Sequence, residues 1–289
     1  MGPVIAVTGA SGQVGGRVAR RLAEAGVTQR LLGRDPSRLP EFEGAVKAPP
    51  ASYGDDAAMR RALAGADTLF LVSARESADR VREHITAVDA AVAAGVGRIV
   101  YVSFLGAAPD ATFTFARDHW HTEQHIRATG VRYTFLRDSL YLAGLPAMVG
   151  ADGVIRGPGG DGRVSAVAHD DVADSAAAVL LGGDAHDGLR YDLTGPDALT
   201  LAEAAAELTR FAGRPIRYVA ETRDQAYASR AHYNAPAWEM AGWVTSYEAI
   251  ATGEMSEVST AVPNLTGRPA QNLAGYLTTH PRAWEHLKA

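Results

Sequence analysis

The chain of 289 residues contains no cysteine. This absence excludes a disulfide framework, a catalytic thiolate and a cysteine-ligated zinc site. Lysine is almost as scarce, because Lys47 and Lys288 are the only lysines among 28 basic residues. A mechanism that depends on a lysine must therefore use one of these two positions.

Long apolar runs and basic clusters are also missing. No apolar stretch reaches the ~18–20 residues that a membrane span needs, and the N-terminus lacks the basic-then-apolar layout of a signal peptide. The formal charge is −5, and no basic run indicates nucleic-acid binding. We therefore expect a cytoplasmic protein with neither a membrane nor a nucleic-acid partner.

The first half of the chain alternates short apolar runs with amphipathic stretches. Because the apolar runs are rich in β-branched residues and lack polar alternation, they are typical of a parallel sheet covered on both faces. The sequence predicts an α/β fold with a doubly wound parallel sheet of the Rossmann class. Strands are expected at 3–8, 29–33, 45–48, 67–73, 98–103 and 131–137, with helices at 13–25, 56–64, 78–94 and 113–129.

The second half has a looser pattern. The Gly-rich stretch 149–162 is expected to be a loop over the carboxyl edge of the sheet. Strands at 164–168 and 189–193 flank a helix at 170–181, and the chain from residue 201 onward is mostly helical. We therefore predict a Rossmann core over residues 1–140. Residues 141–289 form a mixed region with late core strands and a smaller, mainly helical C-terminal substrate subdomain.

The strongest motif is the glycine series Gly9, Gly12 and Gly15, which follows the first strand and opens the first helix. The first glycine permits a tight turn, and the second lets the backbone approach a pyrophosphate at the helix N-terminus. The third allows close packing of helix and strand. The alternative is a Gly-rich turn without a ligand, but this strand–turn–helix context favours a dinucleotide site.

The end of the second strand bears on the choice of cofactor. An NAD site has an Asp or Glu there for the ribose 2′-hydroxyl, whereas this chain has Gly33-Arg34-Asp35. An arginine fork suits a 2′-phosphate, so NADPH is preferred and residues 1–140 become an NADP-binding core. Two alternatives stay open: Arg34 is a solvated surface residue, or Asp35 binds a ribose, although Pro36 indicates that the chain is already turning.

The Tyr-x-x-x-Lys pair of short-chain dehydrogenases is absent, because Glu43 precedes Lys47 and Trp284 precedes Lys288 at that spacing. In the corresponding helix, His119 and Glu123 lie one turn apart and face the same way. His119 is a candidate to bond a ribose or to supply a proton near neutral pH. The alternative is that His119 and His121 are ordinary surface or capping residues. We expect no metal site.

Several segments together resemble the NmrA-like branch of atypical short-chain dehydrogenases, in particular the bacterial NADPH:quinone oxidoreductase type 2 group. The resemblance covers nearly the whole chain. After the sixth strand, relatives often read LRNGWYxEN where this chain reads LRDSLYLAG, which leaves its substrate contacts open. The segments that carry it are TGASGQVG (8–15), GRDP (33–36), YGD (53–55), the Arg80/His84 pair, AAGVGRIVYVS (93–103), DHWHTEQHI (118–126), GVRYTFLRDSLY (130–141), LTLAEAAAELTRFAGRPI (199–216) and THP (279–281).

The resemblance implies a set of site residues. Arg34 would bind the 2′-phosphate, Asp55 would lie near the adenine, and Ser73 and Arg80 would lie near the ribose. His119 and Tyr141 are the candidate catalytic residues, which orient a carbonyl oxygen. The full set of implied cofactor-binding residues is Gly9, Ser11, Gly12, Gln13, Val14, Gly15, Arg34, Asp55, Ser73, Arg80, Ser103, His119, Ser139 and Leu140.

The expected function is an NADPH-dependent reductase of a quinone or a similar small electrophilic carbonyl or enone, acting as a monomer or homodimer. Hydride transfer to a quinone needs positioning more than an acid–base pair. The alternative is a non-catalytic NADP(H) sensor of the NmrA type. Trp238, Trp243 and Tyr247 suit a substrate lid, a partner surface or simple core packing. A sugar-nucleotide epimerase or isomeroreductase is less favoured, because such enzymes rely on the missing lysine chemistry.

Overall fold

The computed structural model describes residues 2–288, which contain eleven β-strands and eleven α-helices joined by short 3₁₀ turns. Within that range no helix is both long and apolar enough to span a bilayer. The strands are β1 (Ile5–Val7), β2 (Gln29–Leu31), β3 (Ala45–Lys47), β4 (Thr68–Leu71), β5 (Arg98–Phe104), β6 (Arg132–Asp138), β7 (Val154–Gly157), β8 (Arg163–Val164), β9 (Arg190–Leu193), β10 (Leu199–Thr200) and β11 (Arg217–Ala220).

The helices occupy the stretches between and after these strands. They are α1 (Gln13–Glu24), α2 (Asp56–Leu63), α3 (Arg80–Ala93), α4 (Thr114–Ala128), α5 (Gly144–Ala147), α6 (His169–Leu181), α7 (Leu201–Ala212), α8 (Arg223–Arg230), α9 (Ala237–Ala251), α10 (Ala261–Thr266) and α11 (Leu273–Thr279).

Seven strands form one sheet in the order β3-β2-β1-β4-β5-β6-β9. The pairs β1–β2, β1–β4, β2–β3 and β4–β5 are parallel. The order reverses between β1 and β4, and such a reversal opens a crevice at the carboxyl ends of the strands. The predicted doubly wound fold is confirmed, including its short third strand.

The described residues fall into two compact units. The first comprises residues up to 107 together with 118–137 and 172–191, and the second comprises 108–117, 138–171 and the chain from 192 onward. In the first unit, the strands and the helices that cover them share a fully buried apolar core. Leu69, Leu71, Ile99 and Tyr101 belong to this core, together with Val88 of α3. The buried strands explain why these segments read as continuous apolar runs.

The prediction of a loop over residues 149–162 is wrong in part. Val154–Gly157 form β7, which pairs in parallel with β11, a strand the sequence did not indicate. Tyr218 on β11 strengthens this pairing, because its hydroxyl donates to the Gly157 carbonyl at 2.7 Å. The strand predicted at 164–168 is also shorter, ending at Val164.

Candidate dinucleotide site

The turn between β1 and α1 has the geometry that its glycines predict. Gly9 has a positive φ of 60°, and its carbonyl accepts from the Gly12 amide at 2.8 Å. A Cβ on Gly15 would overlap the Gly9 carbonyl and lie 2.5 Å from the Thr8 carbonyl oxygen. Only glycine therefore lets α1 start this close to the end of β1.

The N-terminus of α1 is open to an anion. Gly12 is its N-cap, and across the described residues no side chain caps this end and no acidic residue lies in its first turn. The first amides of a helix have no partner within it and carry the positive end of the helix dipole. This turn therefore suits a pyrophosphate.

Beyond β2, Asp35 is committed to its own turn. Its carboxylate accepts from the Ser37 amide at 3.0 Å and from the Ser37 hydroxyl at 2.6 Å, and it begins the 3₁₀ turn Pro36–Arg38. The hydrogen bonds from Ser37 lower the pKa of Asp35, which is therefore ionised at neutral pH. In the structure Asp35 is thus bonded within its own turn, and the binding of a 2′-phosphate by Arg34 stays a prediction.

A cleft of about 340 Å³ opens at the carboxyl ends of β1, β2 and β4. Both Arg34 and Arg75 line it, and Glu83 adds one carboxylate to the same wall. The cleft thus places an anion-binding turn beside two guanidinium groups. Its lining consists of Thr8, Gly9, Ser11, Gly12, Leu32, Gly33, Arg34, Ala51, Ser52, Tyr53, Met59, Val72, Ser73, Ala74, Arg75, Ser77 and Glu83.

Five predicted residues belong to this lining: Gly9, Ser11, Gly12, Arg34 and Ser73. Gln13, Val14 and Gly15 instead form the first turn of α1 behind it. Asp55 is absent from the described lining, and its carboxylate caps α2 by accepting from the Ala58 amide at 2.9 Å.

Tyr53 belongs to the cleft although the motif analysis gave it no role. Its hydroxyl lies 2.6 Å from both the Val72 carbonyl and the Thr8 hydroxyl, and so ties the segment after β3 to the ends of β1 and β4. Burial raises the pKa of Tyr53 well above its ordinary value, so the phenol keeps its proton and donates.

The segment Ser73–Ser77 after β4, which we call the β4 loop, is hydrogen-bonded to side chains of α3. Arg80 Nε donates to the Ala74 carbonyl at 2.9 Å, and the Ala74 amide donates to His84 Nε2 at 2.8 Å. Arg80 and His84 are both buried, and neither is among the described residues that line the cleft. The expected contact of Arg80 with a ribose thus stays a prediction, whereas its bond to the loop is observed.

His84 is a neutral acceptor. Burial, and to a smaller extent the positive charge of Arg80, lower the pKa of His84 to about 3. Since Nε2 accepts from Ala74, the ring proton lies on Nδ1, 2.8 Å from the Thr122 hydroxyl. Thr122 in turn donates to the Asp118 carbonyl at 2.8 Å.

His119 lies in the core, 4% exposed, rather than on the helix surface. Its Nδ1 is 3.0 Å from the Tyr101 hydroxyl, and its ring packs near Phe104. Burial, reinforced by Arg80, His84 and Arg137, lowers the pKa of His119 well below its ordinary value. The imidazole is therefore neutral at neutral pH, and the expected role of His119 stays a prediction.

Glu123 faces the same way as His119 but binds other partners. Arg137 donates to both of its carboxylate oxygens, at 2.8 and 2.7 Å, and the Ser103 hydroxyl donates to it at 2.6 Å. Glu123 and Ser103 have no exposed surface. Ser103, a predicted cofactor contact, is thus engaged within the core.

The predicted residues Ser139, Leu140 and Tyr141 belong to the second unit. The Tyr141 hydroxyl donates to the Asp138 carboxylate, and its ring stacks on His169 with centroids 3.9 Å apart. Ser139 is fully buried, and within residues 2–288 its hydroxyl oxygen has no hydrogen-bond partner. Tyr141 is therefore held in one orientation by a carboxylate and a stacked ring.

Comparison with known proteins fits this geometry. Residues 9–181 match a family of NAD(P)H-binding proteins, and this match includes the glycine turn, Arg34 and the β4 loop. The chain belongs to the NAD(P)H-binding family. Its predicted place among NmrA-like atypical short-chain dehydrogenases, in the quinone oxidoreductase type 2 group, is confirmed.

Three known proteins illustrate the similarity of this chain to reductases. It is 37% identical over 286 residues to (4-alkanoyl-5-oxo-2,5-dihydrofuran-3-yl)methyl phosphate reductase of Streptomyces griseus, covering 97% of this chain and 99% of the relative. It is 31% identical to NAD(P)H azoreductase of Xenophilus azovorans, with the same coverage. The structure of Escherichia coli quinone oxidoreductase QOR2 complexed with NADPH superposes with a TM-score of 0.85 at 31% identity, covering 95% of this chain and 99% of that one.

The chain is an NAD(P)H-dependent oxidoreductase, and its cofactor is NADPH. The residues present fit that cofactor on structural grounds. The uncapped start of α1 suits a pyrophosphate, and Arg34 lies just after β2, where an NAD site has a carboxylate.

Proposed function

We propose that this protein is an NADPH-dependent reductase of quinones or similar small electrophilic carbonyls and enones. The observation that carries the proposal is the cleft that combines the Gly9–Gly12 turn with Arg34. The lack of Tyr-x-x-x-Lys directs the choice of acceptor, because the sequence offers no lysine-assisted tyrosinate for reversible alcohol oxidation.

The names of the relatives support an acceptor of this class. The Streptomyces reductase acts on a conjugated furanone, the Xenophilus enzyme on an azo group and the E. coli enzyme on a quinone. Each of these groups is an electron-poor double bond in conjugation. We therefore assign the present chain a conjugated acceptor rather than a simple ketone.

The chemistry of such an acceptor makes few demands on acid–base groups. NADPH supplies a hydride when it is bound. A quinone that gains this hydride becomes a hydroquinone anion, which takes its proton from water. The work of the chain is thus to bind and orient the reactants.

In our proposal, different residues bind the cofactor and orient the acceptor. Arg34 and the amides of the glycine turn bind phosphate groups, as guanidinium and helix N-terminal amides do elsewhere. His119 stays a candidate to orient the acceptor oxygen. It is buried with Nδ1 3.0 Å from the Tyr101 hydroxyl, and its lowered pKa makes the imidazole neutral. Tyr141 is held by Asp138 and His169, and in our proposal its hydroxyl turns from Asp138 to donate to the acceptor oxygen when the acceptor binds.

The test is oxidation of NADPH by the purified protein with a panel of benzoquinones and naphthoquinones, followed at the nicotinamide absorbance band. We expect turnover with NADPH and a much weaker rate with NADH. Tyr141→Phe should lower kcat about tenfold, as the loss of one orienting hydrogen bond does.

Tyr133→Phe is the matched control. Tyr133 stacks on Phe135 in the first unit, away from the cleft lining, so kcat should be unchanged. Tight NADPH binding without oxidation by any quinone would overturn the proposal in favour of an NADP(H) sensor. An equal loss in the two tyrosine variants would remove Tyr141 from the mechanism.

A further inference from the structure

The β4 loop has a feature that the dinucleotide motif does not require. Both backbone groups of Ala74 are bound by side chains of one helix: its carbonyl accepts from Arg80, and its amide donates to His84. The two side chains lie four residues apart, one turn along α3, so they reach the loop from the same face of the helix. The Arg80 amide also donates to the Ser77 carbonyl, at 3.3 Å.

The loop fixed in this way forms a wall of the cleft. Ser73, Ala74, Arg75 and Ser77 all line it. The Ser77 hydroxyl oxygen is buried and has no hydrogen-bond partner among the described residues. A buried hydroxyl without a partner costs free energy, which a ligand atom in the cleft would recover.

The side chains of Arg80 and His84, which we call the clamp, are also held by partners other than the loop. His84 is fully buried and donates a hydrogen bond from Nδ1 to the Thr122 hydroxyl. That hydroxyl in turn donates to the backbone of α4. Arg80 is 4% exposed, and its guanidinium lies 3.8 Å from the Asp118 carboxylate. Because neutral His84 can only accept at Nε2, the loop amide has one fixed partner.

We propose that Arg80 and His84 are positioning residues that hold the β4 loop against the dinucleotide cleft through Ala74, and so set the affinity for NADPH through that loop. The pair pre-organises Arg75 and Ser77, and binding then orders less of the chain. This inference rests on the assignment of the cleft to NADPH made above.

The test compares His84→Leu with His84→Gln. Leucine removes the acceptor, whereas the Gln side-chain oxygen reaches about as far as Nε2 and restores it. We expect His84→Leu to raise the Kd for NADPH about tenfold and His84→Gln to recover most of the affinity. Hydrogen exchange of the Ala74 amide in the free protein should quicken in the leucine variant alone. The kcat at saturating NADPH should change little.

Arg80→Gln is the second variant, and Arg98→Gln is its matched control. Arg98 is also a buried arginine, ion-paired with Asp187, but its described hydrogen bonds go to Thr134 and Val179 rather than to the β4 loop. Both glutamine variants should lower the thermal midpoint, and only Arg80→Gln should weaken NADPH binding. An Arg80 or His84 variant that loses thermal stability but keeps the wild-type Kd would show a merely structural role.

Arg34→Ala separates this inference from the proposed function. A weakened Kd in Arg34→Ala, with an unchanged Kd in His84→Leu and Arg80→Gln, would overturn the clamp and leave the cleft assignment standing. An unchanged Kd in all three variants would overturn both.

Discussion

Glu123 carries a carboxylate at a position with no exposed surface, where an unpaired charge would be strongly destabilising. Arg137 donates two hydrogen bonds to this carboxylate, and Ser103 donates a third. The sequence places Glu123 one turn from His119 on α4. In the structure its carboxylate joins α4 to β5 and β6.

At the residue scale we therefore predict a large stability effect at this pair. Glu123→Gln should lower the free energy of unfolding by about 3–5 kcal/mol, because Arg137 is left buried without its counter-charge. Urea unfolding followed by circular dichroism measures it. Glu207→Gln is the matched control, since Glu207 also binds an arginine through both oxygens but Arg210 is exposed.

We expect Glu207→Gln to cost no more than about 1 kcal/mol. Equal losses in the two variants would mean that burial adds nothing to the strength of the Glu123–Arg137 pair.

Single residues of the cleft were predictable to different degrees. The glycine turn and Arg34 follow from local spacing, because a tight turn and a missing carboxylate are visible in the sequence itself. Arg75, Ser77 and Tyr53 were missed, since loops at the ends of different strands converge only in the folded sheet. The rule that carboxyl ends of parallel strands meet at one edge was the available signal for the residues after β4.

At the scale of elements, the approach of α1 to β1 is the tightest requirement of the site. A Cβ on residue 15 would overlap the backbone carbonyls of Gly9 and Thr8. Backbone atoms cannot move aside as a flexible side chain can. The start of α1 would have to shift, and with it the amides that face the cleft.

Gly15→Ala is accordingly expected to cost about 1–3 kcal/mol of stability, as overpacking does, and to weaken NADPH binding more than tenfold. Isothermal titration calorimetry and thermal unfolding give the two values. Gly97→Ala serves as control, because its Cβ would make only ordinary contacts, the nearest at 3.5 Å from Arg132. Wild-type affinity in Gly15→Ala would refute the close-packing argument.

The elements themselves were well predicted where strands are buried on both faces and bounded by helices. The pairing of β7 with β11 was not, for a physical reason. Val154–Gly157 lies in a run of glycines, and its partner lies about sixty residues away, so no local pattern records the match. Such short strands form because of their partner rather than their own composition.

On the scale of the whole molecule, the residues lining the cleft all belong to the first unit. Binding of NADPH should therefore stabilise that unit directly. At about 100 times the Kd, linkage gives a gain of about 2.7 kcal/mol.

We predict that NADPH slows amide hydrogen exchange most at residues 8–13, 32–34 and 73–77, as mass spectrometry of the exchanged protein would show. NADH at the same concentration should protect these segments less, since it lacks the 2′-phosphate that Arg34 is positioned to bind. Protection confined to the second unit, with none in these segments, would contradict the assignment of the cleft.

The position of β3 at the border of the sheet has a consequence for colloidal behaviour. An outer strand exposes backbone donors and acceptors to which a strand of another molecule can add. Val46 on β3 is 56% exposed and gives this edge an apolar side chain that favours association. However, β3 has only three residues and ends in Lys47, which is paired with Glu41 at 3.0 Å. An incoming strand would have to strip water from that ion pair. Lys47 is thus a charged residue on an edge strand, of the kind that disfavours pairing with a strand of another molecule.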